Sequence, residues 1–282
     1  MPQVSICIPT YNNEKTIADT LDSVWNQKFS PIEIIVCDDC SKDNTWDVLQ
    51  EYKNTHPDTK KRRLKLLKNP ENLGMAGNWN RCLSLCSGEY IKLLCADDIL
   101  REDCLKKEIN ILEHHKDAVL VSSDTVFIDE EENEKGMYHR YPRGGMIHGK
   151  EAVLFSIYTR DFLGAPLANT FRREAYEFIG GFDPDFSYII DYDFFIRMYC
   201  HGMVYILHEP LNYFRIREDS NTGEVLAGEK GSAYVKEHEK LLKKHERLLN
   251  LNGAKQGISV GIRKTMNVLG GIYLSLTLPG KG

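Results

Sequence analysis

The sequence predicts an α/β fold with a mostly parallel central sheet flanked by helices. Short apolar runs alternate with stretches of helical period through the first hundred residues, in the order strand, helix, strand, helix, strand, helix, strand. Three of these strands end on polar clusters. Because the carboxyl ends of parallel strands meet at one edge of a sheet, we expect these clusters to line a single crevice.

The first four predicted strands are 4–8, 32–37, 64–67 and 88–94, and they alternate with helices at 15–27, 45–52 and 72–85. Farther along, apolar periodicity predicts helices at 102–115, 149–158, 174–179 and 188–198. Strands are expected at 119–128, within 164–173, at 204–207 and at 211–216, and an irregular glycine-rich loop at 138–148.

Composition excludes several classes of protein. The net charge of −5 argues against a general nucleic-acid binder, which would carry a basic face. The weakly polar run 266–278 is too short to span a bilayer, and the first residues lack the pattern of a secretory signal, so we expect a cytoplasmic protein. In that compartment the eight cysteines are expected to be free thiols.

Isolated histidines such as His114, His115, His148 and His208 lack metal-ligand spacing, and we assign them no role.

Two adjacent carboxylates, Asp97 and Asp98, end the fourth strand. Acids at the end of a buried strand are costly unless a cation lies nearby. We therefore expect them to hold a divalent metal ion and, through it, the diphosphate of an activated donor. The alternative is that Asp98 caps a helix that begins near Leu100.

Five segments, in this order, resemble the motifs of glycosyltransferase family 2, whose fold is of the GT-A type. They are Val4–Asn12, Val36–Thr45, Asn72–Asn80, Ala96–Asp98, and Gly180–Asp183 followed by Asp191–Arg197. The resemblance covers roughly residues 3–218. This sequence departs from the family pattern at Cys95, Ile190 and Arg217, where members often have Asp, Glu and His. No Q-x-x-R-W motif is present, which favours transfer of single sugars.

The resemblance implies an inverting transfer from a nucleotide-diphospho-sugar, expected to be a UDP-sugar, to an acceptor hydroxyl, assisted by Mn²⁺ or Mg²⁺. Asp191 would be the general base, and Asp98 with Asp97 would bind the metal. Asp193 would instead hold Arg197, although both acids could simply favour a helix N-terminus. The expected donor-binding residues are Pro9, Thr10, Tyr11, Asn12, Asp38, Asp39, Asn72, Gly74, Asn78, Asp97 and Arg217. Among these, Asp38 would accept a hydrogen bond from uracil N3–H.

The predicted organisation has three parts. Residues 1–218 form the catalytic domain, with a nucleotide-binding half (1–100) and an acceptor-binding half (101–218). Residues 219–232 form a flexible loop or lid, and residues 233–282 a helical extension. The extension could lie on the inner face of a membrane that bears a lipid-linked acceptor, or pack on its own or another subunit. The acceptor itself could be a glycan, lipid-linked or protein-linked.

Two other functions remain to be weighed. A sugar-1-phosphate nucleotidyltransferase would be expected to carry a glycine-rich loop after the first strand, where this chain has Pro9-Thr10-Tyr11-Asn12. A degenerate module that binds sugar nucleotides without turnover is suggested by Cys95, Ile190 and the missing histidine.

Overall fold

The computed structural model describes residues 3–139, 141–159, 161–163, 165–216 and 231–277, without the side chains of residues 231 and 266–277. Four parallel strands form one half of the sheet, in the order β3-β2-β1-β4. They are β1 (Val4–Thr10), β2 (Ile32–Asp38), β3 (Arg62–Lys68) and β4 (Tyr90–Leu93). The helices between them are α1 (Ile17–Trp25), α2 (Thr45–Thr55) and α3 (Gly74–Ser84). The predicted β-α alternation is confirmed.

The second half of the sheet is mixed, and it continues the order as β4-β9-β6-β10-β5. Its strands are β5 (Ile99–Leu100), β6 (Ala118–Ile128), β7 (Glu134–Tyr138), β8 (Gly145–His148), β9 (Asn169–Arg172) and β10 (Met203–Arg215). Its helices are α4 (Cys104–His114), α5 (Gly149–Tyr158), α6 (Arg173–Ile179) and α7 (Ile190–Cys200), and a 3₁₀ turn spans Pro166–Ala168. β9 runs antiparallel to both β4 and β6, so it joins the two halves.

Two predictions for this half are wrong. The segment 138–148 is not an irregular loop throughout, because β7 ends at Tyr138 and β8 covers Gly145–His148. The two predicted strands at 204–207 and 211–216 are one strand, β10, whose pairing with β6 shifts register on either side of Pro210. Proline cannot donate a ladder hydrogen bond, so its presence interrupts the sequence pattern although the strand continues through an irregularity.

A C-terminal helical extension follows, with α8 (Gly231–Lys244), α9 (Glu246–Leu249) and α10 (Gly253–Thr277). Leu241 and Leu242 of α8 are fully buried in the same apolar cluster as Phe194 of α7. The extension therefore shares an apolar core with α7 of the second half. Among the described residues, none of the helices is both long and apolar enough to span a bilayer. All eight cysteines lie in described segments and are free thiols, as predicted.

Gly88 closes the junction between α3 and β4, and its lack of a side chain is required there. Its N–H donates to Ser5 Oγ at 2.8 Å. A Cβ at this position would lie 2.6 Å from the Ser5 nitrogen and 2.8 Å from the Val4 carbonyl carbon, both in the backbone of β1. Moving the backbone of a central strand would break its pairing with both neighbouring strands, so the clash cannot be relieved without loss of stability.

We expect Gly88→Ala to lower the free energy of unfolding by about 1–3 kcal/mol through overpacking. The matched control is Gly257→Ala, because Gly257 is exposed in α10 and a Cβ there would meet nothing within 4 Å. That control should be neutral or stabilising by up to about 1 kcal/mol, since alanine has the higher helix propensity. Urea unfolding of both variants tests this, and equal stabilities would contradict it.

Candidate active site

The loop after β1 is bonded to the loop after β2. The Asn12 backbone adopts φ = 54°, and its N–H donates to Ser41 Oγ at 2.9 Å. Asn12 Oδ1 in turn accepts from the Lys42 N–H at 2.8 Å. Thr10 is buried, whereas Tyr11 beside it is 45% exposed and faces solvent. Pro9 lies within β1 opposite Cys37. This arrangement leaves the Tyr11 ring accessible at the sheet edge.

The two acids after β2 are both buried. The Asp38 carboxylate is 0% exposed, accepts from the Ser41 hydroxyl and N–H, and lies 3.8 Å from Lys68 Nζ. Asp39 Oδ1 accepts from Asn69 Nδ2 at 2.7 Å and from the Leu73 N–H at 2.8 Å. Both carboxylates therefore organise the loops of this edge, and the contact of Asp38 with a base stays a prediction.

The segment before α3 is fixed to the same loops. Asn72 Nδ2 donates to the Asp39 carbonyl at 3.1 Å, and Asn72 Oδ1 accepts from the Gly74 N–H at 3.1 Å. Gly74 has φ = 72°, a conformation that glycine adopts without strain. Asn78 is buried and donates to the carbonyls of Thr10 and Cys37 at 3.4 and 3.0 Å. These contacts tie the ends of β1 and β2 together, and the predicted donor contacts of this segment stay predictions.

Asp97 and Asp98 lie in the turn between β4 and β5, and the helix-cap alternative for Asp98 is wrong, because α4 begins only at Cys104. Asp98 is 1% exposed and Asp97 is half-buried. Arg215, at the end of β10, fixes this turn. Its backbone N–H donates to Asp98 Oδ1 at 3.1 Å, and its Nε donates to the Asp97 carbonyl at 3.0 Å.

The guanidinium of Arg215 also reaches the turn after β6. Its Nη1 and Nη2 donate to the Glu130 carbonyl and to Glu132 Oε1, at 3.1 and 2.9 Å. Arg215 is 4% exposed, so these contacts hold the turn that bears Asp97 and Asp98 rigidly against the second half of the sheet. Arg215 was not among the residues that the sequence predicted for the site. Its position in the strand after α7, two residues before Arg217, was the available signal.

The Cys95 thiol shows that the three predicted acids share one region. Burial raises the pKa of this thiol well above its usual value, and the negative charges of Asp98, Asp97 and Asp191 raise it further. Electrostatic effects of this kind require the groups to be close in a poorly solvated environment. Asp191, in the first turn of α7, therefore lies within electrostatic range of the strand end that carries Asp97 and Asp98.

Asp191 itself is strongly perturbed. Burial, and next the nearby Asp161 carboxylate, raise the pKa of Asp191 to about 8. A backbone hydrogen bond from the Tyr192 N–H to Asp191 Oδ1, at 2.8 Å, opposes this rise. A carboxyl group whose pKa lies near neutral pH is suited to accept and release a proton.

Asp193, two residues on, has a different role. Its carboxylate is 0% exposed and accepts from Arg197 Nε at 3.0 Å, which confirms the predicted pair. Asp193 Oδ1 also accepts from Lys244 Nζ and His245 Nε2, at 2.6 and 2.8 Å. Burial alone would raise the pKa of Asp193, but the His245 hydrogen bond and the Arg197 and Lys244 charges lower it to about 2. Asp193 therefore docks the C-terminal extension onto α7.

Arg263 extends this docking from α10. It is 4% exposed, and its Nη2 donates to the Ser156 carbonyl and to the Tyr192 hydroxyl, both at 3.2 Å. Its guanidinium also lies 5.5 Å from the centre of the Tyr192 ring, within cation–π range. Ser259, one turn earlier, is fully buried and donates to the Ile157 carbonyl. The described start of α10 therefore packs on its own domain, which was one of the predicted alternatives.

The side chains of Asp97 and Asp98 fit a divalent cation, because carboxylate oxygens are the ligand type that Mg²⁺ and Mn²⁺ prefer. Arg215 contacts Asp98 through its backbone N–H, while its guanidinium is engaged by the Asp97 and Glu130 carbonyls and by Glu132. A cation in this region would offset the charge of the three acids. Arg217 lies outside the described residues, and so do residues 219–230 of the predicted lid. The last two residues of that predicted lid, Gly231 and Ser232, belong to α8.

This fold and this acidic strand edge define a GT-A type of protein. The sequence profile of Glycosyl transferase family 2 matches residues 5–180, more than half of the chain. The chain belongs to this family. One curated relative is the UDP-Glc:alpha-D-GlcNAc-diphosphoundecaprenol beta-1,3-glucosyltransferase WfaP of Escherichia coli, 33% identical over 142 residues. The match covers 50% of this chain and 53% of WfaP, so the chain spans about half the length of that relative.

Solved structures agree with the fold. The crystal structure of Staphylococcus aureus TarS 1-349 in complex with UDP-GlcNAc superposes with a TM-score of 0.72 at 20% identity, covering 98% of this chain and 76% of that one. The mannosyltransferase PcManGT of Pyrobaculum calidifontis, solved with GDP-Man and Mn²⁺, superposes with a TM-score of 0.63 at 17% identity, covering 99% and 76%. At these identities the likeness establishes the GT-A fold alone.

Proposed function

We propose that the protein transfers a single sugar from a UDP-sugar to an acceptor hydroxyl during synthesis of a surface glycan, with inversion at the anomeric carbon. The observation that carries this proposal is the position of buried Asp98 and neighbouring Asp97 in the turn after β4, held by Arg215, in a chain of Glycosyl transferase family 2. WfaP is named as a transferase that uses UDP-Glc, and TarS was solved with UDP-GlcNAc; both support a UDP-linked donor.

In this proposal Asp98 and Asp97 hold Mn²⁺ or Mg²⁺ at the end of β4. When bound, the ion supplies positive charge to the leaving diphosphate. Asp38 and Asp39 organise the nucleoside pocket together with Pro9, Thr10, Tyr11, Asn12, Asn72, Gly74 and Asn78. The exposed Tyr11 ring provides an apolar surface for the base. Arg217 is proposed to grip a phosphate of the donor.

Asp191 acts on the acceptor. It takes the proton from the attacking hydroxyl while the new bond forms between that oxygen and the anomeric carbon. The bond from the anomeric carbon to the diphosphate breaks at the same time, and nucleoside diphosphate leaves from the opposite face. The single displacement inverts the configuration. The pKa of about 8, raised by burial and by Asp161, makes Asp191 a stronger base than an ordinary carboxylate.

The C-terminal extension contacts α7, the helix that carries Asp191. Lys244 and His245 hold Asp193, and Arg263 holds Tyr192. The extension therefore fixes the residue that follows Asp191 and the one after it. These contacts favour packing of the extension on its own domain over contact with a membrane surface. Contact with a lipid-linked acceptor remains part of the proposal only for residues beyond Thr265.

A transfer assay tests the proposal. Purified full-length protein is incubated with UDP-glucose, UDP-GlcNAc or GDP-mannose, Mn²⁺ and a panel of acceptor glycosides, and products are detected by mass spectrometry. We expect transfer from a UDP-sugar that falls at least about 100-fold in Asp98→Asn. Asp185→Asn, an exposed carboxylate, is the matched control and should retain activity. Donor binding without turnover in every combination would instead indicate a non-catalytic sugar-nucleotide module.

A further inference from the structure

We propose that Asp124, His139 and His208 form a second metal site, which binds a transition-metal ion of the Zn²⁺ type. Asp124 lies in β6, His139 directly follows β7, and His208 lies in β10. The proposed transfer reaction uses none of these side chains. Three segments that are distant in the sequence therefore bring metal-ligand side chains to one point.

The three donor atoms already lie close together. His139 Nδ1 is 2.7 Å from Asp124 Oδ2, and His208 Nδ1 is 3.3 and 3.2 Å from Asp124 Oδ1 and Oδ2. One donor atom from each residue falls within 4.8 Å of the other two. Ligands at about 2.0–2.1 Å from a tetrahedral zinc ion are themselves roughly 3.3 Å apart. An ion could therefore enter with small side-chain movements.

The orientation and burial of the groups also suit an ion. The two imidazole rings are 5.7 Å apart at their centres and 79° apart in plane, so their nitrogens approach the carboxylate from different directions. Asp124 is 1% exposed, whereas the side chains of His139 and His208 are 59% and 34% exposed. The carboxylate anchors the site from below, and the open side admits a water molecule as fourth ligand.

The scaffold around the cluster is rigid. Buried Asn212 donates to the Asp124 carbonyl at 3.2 Å and to Ser123 Oγ at 2.9 Å, and it accepts from Thr125 Oγ1 at 2.6 Å. The register shift of β10 between Leu207 and Pro210 lies beside these contacts and includes His208. Irregularities of this kind re-aim side chains next to functional sites.

Gly144 gives the His208 ring its space. A Cβ at residue 144 would lie 3.0 Å from His208 Cδ2, so a larger residue would press on the ring. The backbone at Gly144 therefore packs close to one imidazole ligand, which restricts the positions that the ring can take.

The ligand chemistry separates this cluster from the donor site. Two imidazoles and one carboxylate favour Zn²⁺, Co²⁺, Ni²⁺ or Fe²⁺, whereas an all-carboxylate set favours Mg²⁺ or Mn²⁺. Along β6, Asp124 precedes Ile128 by a distance of about 13 Å, and Ile128 is the partner of Arg215, which contacts Asp98. The two sites therefore lie at different positions along the same pair of strands.

Cobalt titration tests the proposal, with tag-free, full-length protein and Co²⁺ as the probe. We expect visible absorption bands of low-symmetry Co²⁺ that saturate at one equivalent. His139→Ala and His208→Ala should each weaken binding by at least about tenfold. His139 is largely exposed, so its replacement leaves the fold intact, which circular dichroism can verify.

Two controls make the result specific. His114→Ala removes an exposed histidine that bonds to the Asn110 carbonyl one turn earlier in α4, and it should leave Co²⁺ binding unchanged. Asp98→Asn removes a proposed donor-site ligand and should leave the bands unchanged. The proposal is overturned if the wild type shows no saturable bands, which would make the cluster a hydrogen-bonded ion pair only. It is equally overturned if the two histidine variants bind Co²⁺ as tightly as the wild type.

Discussion

Asp191→Asn is expected to abolish sugar transfer and, at the same time, to stabilise the protein at alkaline pH. Loss of a general base lowers turnover by about 10²–10⁴-fold. The stabilisation follows because burial and the Asp161 carboxylate raise the pKa of Asp191 to about 8, from its ordinary value of 3.8. Ionising this group in the folded protein is therefore unfavourable, and asparagine removes the charge while keeping the shape.

The sign of the pH dependence follows from proton linkage. Between pH values of about 4 and 8 the folded state binds more protons at Asp191 than the unfolded state, so this group makes stability fall as pH rises. Without added metal, we expect the melting temperature of Asp191→Asn to exceed that of the wild type by about 2 °C or more at pH 8. Near pH 4 the two should coincide.

Differential scanning fluorimetry from pH 4 to 9 in EDTA checks this. If the difference in melting temperature between Asp191→Asn and the wild type does not change with pH, the pKa of Asp191 is not raised. Adding Mn²⁺ and UDP should shrink the difference, because a nearby cation favours the ionised carboxylate.

Asp193→Asn is expected to have the opposite effect on stability. It leaves the cationic groups of Arg197 and Lys244, together with His245, facing a neutral amide in a buried site. Removing one partner of a buried ionic network costs about 3–5 kcal/mol. Since Lys244 and His245 belong to the C-terminal extension, we also expect the extension to become sensitive to protease.

Urea unfolding and limited trypsin digestion measure these effects. Asp185→Asn is the control, because Asp185 is 70% exposed and its pair with Lys240 should contribute under about 1 kcal/mol. The hydrogen bond and charges around Asp193 lower its pKa to about 2, against the opposing effect of burial, so its contribution is present above a pH of about 4. The difference in the free energy of unfolding between Asp193→Asn and the wild type should therefore vanish as pH falls towards 2. A loss under 1 kcal/mol at pH 7 would show that the network is not coupled to folding.

The parallel half of the fold was predictable because its signals are local. Each of the first strands is a short apolar run bounded by turn residues, and each helix shows its period within about a dozen residues. The second half depends on antiparallel partners far along the chain, such as β8 with β10. Pro210 concealed the continuity of β10, since a single sequence does not reveal that the strand resumes on its other side.

The site was predictable in its acids but not in the groups that hold them. Asp97, Asp98 and Asp191 stand in recognisable motifs, and the charges of all three raise the pKa of the Cys95 thiol. Arg215 is 117 residues away from its partner Asp98, and no local pattern links them. Lys244, His245 and Arg263 look like the polar face of a solvated amphipathic helix in the sequence. Their burial depends on docking against α7, which periodicity cannot reveal.

We propose that the acidic edge of the sheet binds a nucleoside diphosphate together with a divalent cation. Calorimetric titration of the full-length protein with UDP, in Mn²⁺ or in EDTA, measures this binding. We predict saturable one-to-one binding in Mn²⁺ that weakens at least about tenfold in EDTA and in Asp98→Asn, while Asp191→Asn binds UDP as the wild type does. Binding of UDP that is equal with and without Mn²⁺, and unchanged in Asp98→Asn, would show that Asp98 does not bind the nucleotide through a metal ion.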